Sequence, residues 1–238
     1  MALPGPHRAL ARLRVVLIDA SITTVLFDLD GTLLDHDQAA RQGALEFARE
    51  LGIRGRDDQI VRTWFRIEKR WFTRFERSEI THLAQRIGRC REFTGRDLTD
   101  DEALEVYELY LRHYRAAWRA FGDAAPALDR ALGSGRAVGI FTNGEPKMQG
   151  AKLADTGLAR EDMPLLTAVG LGAAKPQPQS YERAAQAMGA QPEQCVLIGD
   201  SQRNDVSGAR NAGMRAVHLN RAGHGEITSL DQLEFTPR

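Results

Sequence analysis

Thr24-Val25-Leu26-Phe27-Asp28-Leu29-Asp30-Gly31-Thr32-Leu33 is the stretch on which the reading of this 238-residue sequence turns. A short, β-prone and mostly apolar run stops abruptly in a polar, turn-rich segment. That change predicts a buried strand feeding a loop that carries two carboxylates. The same pattern recurs late in the chain: residues 137–141 precede Thr142-Asn143-Gly144, and residues 195–198 precede Gly199-Asp200-Ser201. Residues 216–219 form another such run and residues 165–169 a weaker one. Helical patterns around 126–132, 147–156, 180–188 and 203–212 separate them, the last closed by Gly213 as a C-cap. Strands alternating with helices, and apolar almost throughout, predict an α/β fold: a doubly wound parallel sheet covered on both faces.

Between about 36 and 120 the texture changes to long helical patterns, over 38–51, 58–77, 80–93 and 100–118. The last begins at Thr99, with Glu102 at capping-box spacing. This block follows directly on the first strand's loop, so it reads as an all-helical domain inserted at the sheet's carboxyl edge. The expected division is a core of 1–35 and 121–238, with 1–12 as a loose tail, and a helical cap of 36–120. Internal repeats and low-complexity tracts are absent from the sequence.

With 42% hydrophobic residues the chain can bury a full core without staples. Its 32 Lys plus Arg balance 32 Asp plus Glu, which removes the global field that would draw it to a nucleic-acid polymer or an anionic membrane. Cys90 and Cys195 stand far apart in no ligand-like spacing, which fits a reducing cytoplasm rather than a disulfide framework. Asp19 cuts the apolar run after the basic N-terminus too short for a signal peptide, and no stretch approaches the length of a membrane span. No obligate protein partner is implied.

Ligands of open parallel sheets bind beyond the carboxyl ends of the strands. Sorted by that rule, the first strand delivers Asp28 and Asp30, a later one Thr142 and Asn143, and another Asp200 with Asp205 close behind. Lys175 lies in the loop Ala174-Lys175-Pro176. Carboxylates this close raise one another's pKa unless a cation joins them, and Mg2+ suits an oxygen-rich site with few protein ligands. The same ion would neutralise a phosphoryl group attacked in line by Asp28. A carboxylate nucleophile splits a hard hydrolysis into two displacements through an aspartyl-phosphate. Asp30 would protonate the leaving group and then activate water. Thr142, Asn143 and Lys175 would hold the phosphoryl oxygens, with Gly31 and Thr32 counted among the phosphate-binding positions.

These motifs resemble those of the haloacid dehalogenase superfamily of hydrolases. Residues 27–33 match its first motif, Phe141-Thr142-Asn143 its second, Lys175-Pro176 its third, and Gly199-Asp200-Ser201 with Asn204-Asp205 its fourth, in the family's order. The resemblance implies Asp28 as nucleophile and Mg2+ bound by Asp28, the Asp30 carbonyl and Asp200, with Asp205 as a further ligand or a partner behind them. It also implies that the helical insertion is the family's first type of cap. Residues 140–144 and 152–158 are similar to 5′-nucleotidase-like and sugar-phosphate phosphatase members. The expected substrate is therefore a small phosphorylated metabolite such as a nucleoside monophosphate or a sugar phosphate. The segment from Glu161 to Ala174 departs from the pattern, carrying Gly170 and Gly172 where polar residues are expected.

Plainer readings stand beside these. Asp28 to Gly31 alone is an acidic turn, Thr142 and Asn143 are helix caps, and Asp205 is a first-turn acid favoured by the helix dipole. Residues 54–96 hold twelve Arg or Lys against six Asp or Glu, interleaved with Trp64, Phe65, Trp71, Phe72 and Phe75. They read either as a lid for an anionic substrate or, as favoured here, as packed apolar faces with solvated arginines. His36 and Asp37 are placed at the hinge, and His82, His113, His218 and His224 receive no role. A phosphomutase, a haloacid dehalogenase and a non-catalytic protein retaining the fold are the rival functions; a halide, unlike a phosphate ester, has no need of the acid that Asp30 supplies.

Overall fold

A computed structural model of the protein describes residues 15–237; the expected loose tail, 1–12, lies outside them. Five strands form one parallel sheet: β2 (Thr24–Phe27), β3 (Ala137–Thr142), β4 (Leu165–Thr167), β5 (Cys195–Gly199) and β6 (Arg215–His218), in the order β4-β3-β2-β5-β6. The period of two along each strand sends alternate side chains to opposite cores. Val25, Phe27, Val138, Ile140, Val196 and Ile198 face one side with helix α5 (Ala124–Gly133). Leu26, Phe141, Cys195 and Leu197 face the other, under Tyr181 and Ala184 of helix α8 (Pro178–Ala187). Both faces are dry, which is why these strands read as continuous apolar runs.

β2 is central; from it the chain runs outward through β3 and β4 on one side, then crosses back to β5 and β6 on the other. The loops after β2, β3 and β5 therefore diverge around one crevice, the switch point where such sheets bind ligands.

Two three-residue strands escape the sequence patterns: β1 (Val16–Ile18) pairs parallel with β7 (Leu233–Phe235) in a separate sheet. The buried Arg136 ties this pair to the core, donating to the main-chain oxygens of Ile18, Asp19, Ile22 and Thr236. Helices α6 (Pro146–Asp155) and α7 (Ala168–Leu171) follow β3 and β4. α7 occupies the end of the expected 165–169 strand, because Thr167 caps it through Gly170 N and Gly172 closes it in the left-handed region.

Four helices stand between β2 and α5: α1 (His36–Glu50), α2 (Asp57–Glu76), α3 (His82–Thr94) and α4 (Asp100–Ala116). Three of them, α1, α3 and α4, start at side-chain caps. Asp35 caps α1 through Gln38 N, Thr81 caps α3 through Ala84 N, and Thr99 and Glu102 form the expected reciprocal box at α4. The four pack around their own aromatic cluster, with Trp64, Phe47, Phe93, Tyr107 and Tyr110 in mutual ring contact. The packed-face reading thus holds for Trp64, while Phe65 and Phe72 turn toward a cavity described below.

The expected helix over 203–212 is instead a π-helical turn, Gln202–Ser207, running into the short α9 (Gly208–Asn211), with Gly213 at φ 86° just beyond its end. The wide turn frees the Asn204 carbonyl, which accepts from the Tyr181 hydroxyl, and it sends the Asp205 side chain back toward the sheet.

Candidate active site

Asp28 follows β2 directly and is buried, with 7% of its surface exposed. Its Oδ1 accepts from Lys175 Nζ at 2.8 Å and its Oδ2 from the Thr32 hydroxyl at 3.3 Å. Lys175 Nζ also donates to Asp205 Oδ1 at 2.6 Å and to the Phe141 carbonyl at 2.8 Å. The ammonium is 2% exposed, and its two carboxylate neighbours outweigh the burial that opposes its charge and raise its pKa. Asp205 is fully engaged, since its Oδ2 accepts from Ser201 N at 2.9 Å. Asp200 stands at the exposed rim; its N–H donates to the Thr32 hydroxyl at 3.1 Å.

One oxygen from each of Asp28, Asp200 and Asp205 lies within 4.8 Å of the other two. Three carboxylates here face one ammonium. Burial, reinforced by Asp205 and Asp200 and opposed by Lys175, pushes Asp28 well above the usual carboxylate range. Desolvation and Asp205 push Asp200 to about 6. An oxygen-rich cluster short of positive charge fits a hard divalent cation. Gly31 is dictated by the same crowding: its φ is 87°, and a Cβ there would stand 2.6 Å from Asp200 Oδ2.

Asp30 turns away from this trio. Its carboxylate accepts from Lys152 Nζ at 2.6 and 2.8 Å and from Gln149 Nε2 at 2.9 Å. Burial would raise its pKa, but Lys152 and His36 outweigh it and hold the group at about 2. Asp30 is an anion in this arrangement. The Thr142 hydroxyl oxygen accepts from Gln149 Nε2 at 2.7 Å and from Gly144 N at 3.3 Å, which leaves its own hydrogen for a ligand.

Asn143 does not offer its side chain to a phosphoryl group, as the sequence suggested. Its Oδ1 accepts from Lys175 N, and its Nδ2 donates to Lys175 O and to Glu76 Oε1. It clamps the main chain of Lys175. This clamp, with Asp205, supplies the positioning that the apolar 161–174 segment lacks.

Beyond Asp30 a cavity of about 380 Å3 opens between the four helices and the sheet edge. Its near end is polar, with His36, Glu68, Gln149 and Lys152; farther in, Phe65, Phe72, Tyr107, Tyr110 and Met148 share the lining with Lys69, Arg86 and Arg89. His36, read from sequence as a hinge residue, sits 3.8 Å from Asp30 and 3.7 Å from Glu68, and its Nδ1 meets the Tyr114 hydroxyl at 2.8 Å. Burial opposes its protonation, but Glu68 and Asp30 prevail and raise its pKa. Glu68 pairs with the buried Arg89 at 2.6 Å. His82 lines the cavity too, held neutral by burial and Arg86 at about 4, and His218 Nε2 lies 3.1 Å from the Asp200 carbonyl. Lys152, Gln149, Glu68 and Glu76 went unnoticed in the sequence. The spacing of Gln149 and Lys152, three residues apart on α6, places them on one helix face, but nothing in the sequence says what that face meets.

A family model described as haloacid dehalogenase-like hydrolase matches residues 22–213. The chain belongs to that family of hydrolases. It is 30% identical to the phosphoserine phosphatase of Thermus thermophilus over 83% of this chain and 88% of that protein. It is 28% identical to (S)-2-haloacid dehalogenase 4A of Burkholderia cepacia, over 91% of this chain and 89% of that one. The fold is that of a HAD hydrolase of Bacillus subtilis solved with magnesium, with a TM-score of 0.77 over 89% of this chain and 96% of that one at 20% identity. The hydrolase core expected from the four motifs is the core found. Among the described residues, no helix is long and apolar enough to cross a membrane.

Proposed function

We propose that this hydrolase is a magnesium-dependent phosphomonoesterase acting on a small phosphorylated metabolite through an aspartyl-phosphate on Asp28. The observation that carries the reading is the junction of Asp28, Lys175 and Asp205 at 2.8 and 2.6 Å, with Asp200 beside them, from loops at one sheet edge. Asp28 and Asp200 would hold Mg2+, with Asp205 behind them, since both oxygens of Asp205 already have donors. The ion's contribution would be to neutralise phosphoryl charge and allow Asp28 to stay ionised.

Asp28 Oδ2, free of Lys175, attacks phosphorus, forming one P–O bond as the ester P–O bond breaks. Lys175, the Thr142 hydroxyl and the main-chain N–H groups of the loop after β2 receive the phosphoryl oxygens. The leaving oxygen emerges beside Asp30. Because Lys152 holds Asp30 ionised, Asp30 donates a proton to the leaving oxygen in the first step only after Lys152 turns aside and the carboxylate has been protonated from solvent. In the second step the ionised carboxylate takes a proton from the water that attacks phosphorus as the P–O bond to Asp28 breaks and orthophosphate leaves.

The four helices serve as the cap, and the cavity beneath them receives the leaving group. Its volume of about 380 Å3 falls at the lower end of the roughly 300–1,000 Å3 of sites that enclose drug-sized ligands. A leaving group larger than serine, such as a sugar or nucleoside, fits that space. The two free, buried cysteines suit a reducing cytoplasm.

Turnover of phosphorylated metabolites with orthophosphate release, abolished by chelation and by Asp28→Asn, tests the proposal. Unchanged turnover in Asp28→Asn would remove the nucleophile assignment. Halide release from 2-haloacids without phosphate release would favour the dehalogenase reading that one relative's activity raises.

A further inference from the structure

Glu76, the last residue of α2, is a carboxylate of the cap buried in the core's active edge, 7% exposed. Its Oε1 accepts from Asn143 Nδ2 at 3.1 Å and from Asn204 Nδ2 at 2.7 Å. Its Oε2 lies 3.5 Å from Arg203 Nη1. Those two amides belong to the loops after β3 and β5. The main chain behind Glu76 is engaged as well: Gln177 Nε2 donates to the Glu76 carbonyl at 2.8 Å and to the Ser78 hydroxyl at 3.1 Å. Ser78 holds φ at 58°, alone among described non-glycine residues in the left-handed region. Such a conformation persists where surrounding contacts impose it.

Both lines of contact end at Lys175. Asn143 holds the lysine's N–H and carbonyl, each at 2.8 Å, and Gln177 lies two residues beyond it. We propose that Glu76 is a positioning residue through which the seated cap fixes the Lys175 loop, so that the ammonium meets Asp28 only when α2 is docked. Its consequence for turnover rests on the phosphatase reading; its consequence for the loop does not. The Asn143 amide has two hydrogens and spends one on each side, on Lys175 and on Glu76. Without the carboxylate, that amide is buried with a hydrogen unpaired, and the cheapest relief is rotation, which releases Lys175.

Hydrogen exchange read by mass spectrometry on the full chain tests this, with β5 as internal control. In Glu76→Ala the amides of 172–178 exchange about tenfold faster than in the wild type, while β5 exchange is unchanged. Glu76→Gln restores protection, because both amides bind a single oxygen that a carboxamide also offers. On p-nitrophenyl phosphate, kcat falls about tenfold in Glu76→Ala, more than KM changes, and recovers in Glu76→Gln. Unaltered exchange at 172–178, acceleration equal in β5, or no recovery in Glu76→Gln would each overturn the assignment. A wild type that hydrolyses no ester would instead defeat the phosphatase reading, and the exchange data would still decide the role of Glu76.

Discussion

Two lysines divide the charge of the site between them. Lys175 balances Asp28 and Asp205 in the dry interior, whereas Lys152, 4% exposed, is committed to Asp30 and lies 5.3 Å from the centre of the Tyr114 ring. The second pair has a consequence in pH. Lys152 is a principal cause of the Asp30 pKa of about 2, and burial pushes the other way. In Lys152→Met the Asp30 pKa therefore rises, and the acidic limb of kcat, measured where water attack on the aspartyl-phosphate limits turnover, moves to higher pH by about one unit or more. A limb that stays in place would show that Asp30 does not govern it. Lys175 was legible from its place between motifs, but Lys152 was not, because nothing in a linear pattern says that residue 152 faces residue 30.

Among the elements, α2 and α3 are joined by a largely buried pair, the buried Arg89 with the partly buried Glu68, and the Arg89 guanidinium also lies over Trp64 at 4.8 Å from the ring centre. Burial would raise Glu68, yet Arg89 and His36 hold it at about 2. Removing one partner of such a pair leaves a buried charge. Arg89→Met is expected to cost about 3–5 kcal/mol of unfolding free energy in urea titration. A loss below about 1 kcal/mol would mean that water or His36 compensates Glu68. Element boundaries followed local chemistry where a cap was present, as at Thr99 with Glu102, and Thr167 ended the weak strand by starting α7. The π-turn at 202–207 had no local mark. It depends on Lys175 drawing Asp205 and on Tyr181 meeting the Asn204 carbonyl, partners 30 and 23 residues distant in sequence.

At the scale of the whole molecule, the acidic trio joins the two ends of the core. Asp200 has its pKa raised from 3.8 to about 6, so between those values the folded protein holds more of its proton than the unfolded chain. That group's contribution is full below 3.8 and is lost as pH rises through about 6. The chelated protein should accordingly lose thermal stability across this window. Magnesium at about a hundred times its dissociation constant should restore about 2.7 kcal/mol at neutral pH. Thermal melts with and without EDTA check this, and melts indifferent to magnesium at pH 7 would argue against a cation among these carboxylates.

Strand character, the helical texture of the insertion and the four motifs are local properties of the chain. Burial on both sheet faces selects continuous apolar runs, and a strand ending in a polar loop announces itself, so the α/β core and the positions of Asp28, Thr142, Lys175 and Asp200 could be read directly. Pairing across the molecule is not local. The β1–β7 sheet, the turn of Asp30 toward Lys152, the commitment of Asn143 to Lys175 and the arrival of Glu76, at the end of α2, against Asn143 and Asn204 were decided by tertiary packing. Each depends on which distant donor a polar group finds once water has been excluded, and that is a property of the folded interior rather than of any stretch of sequence.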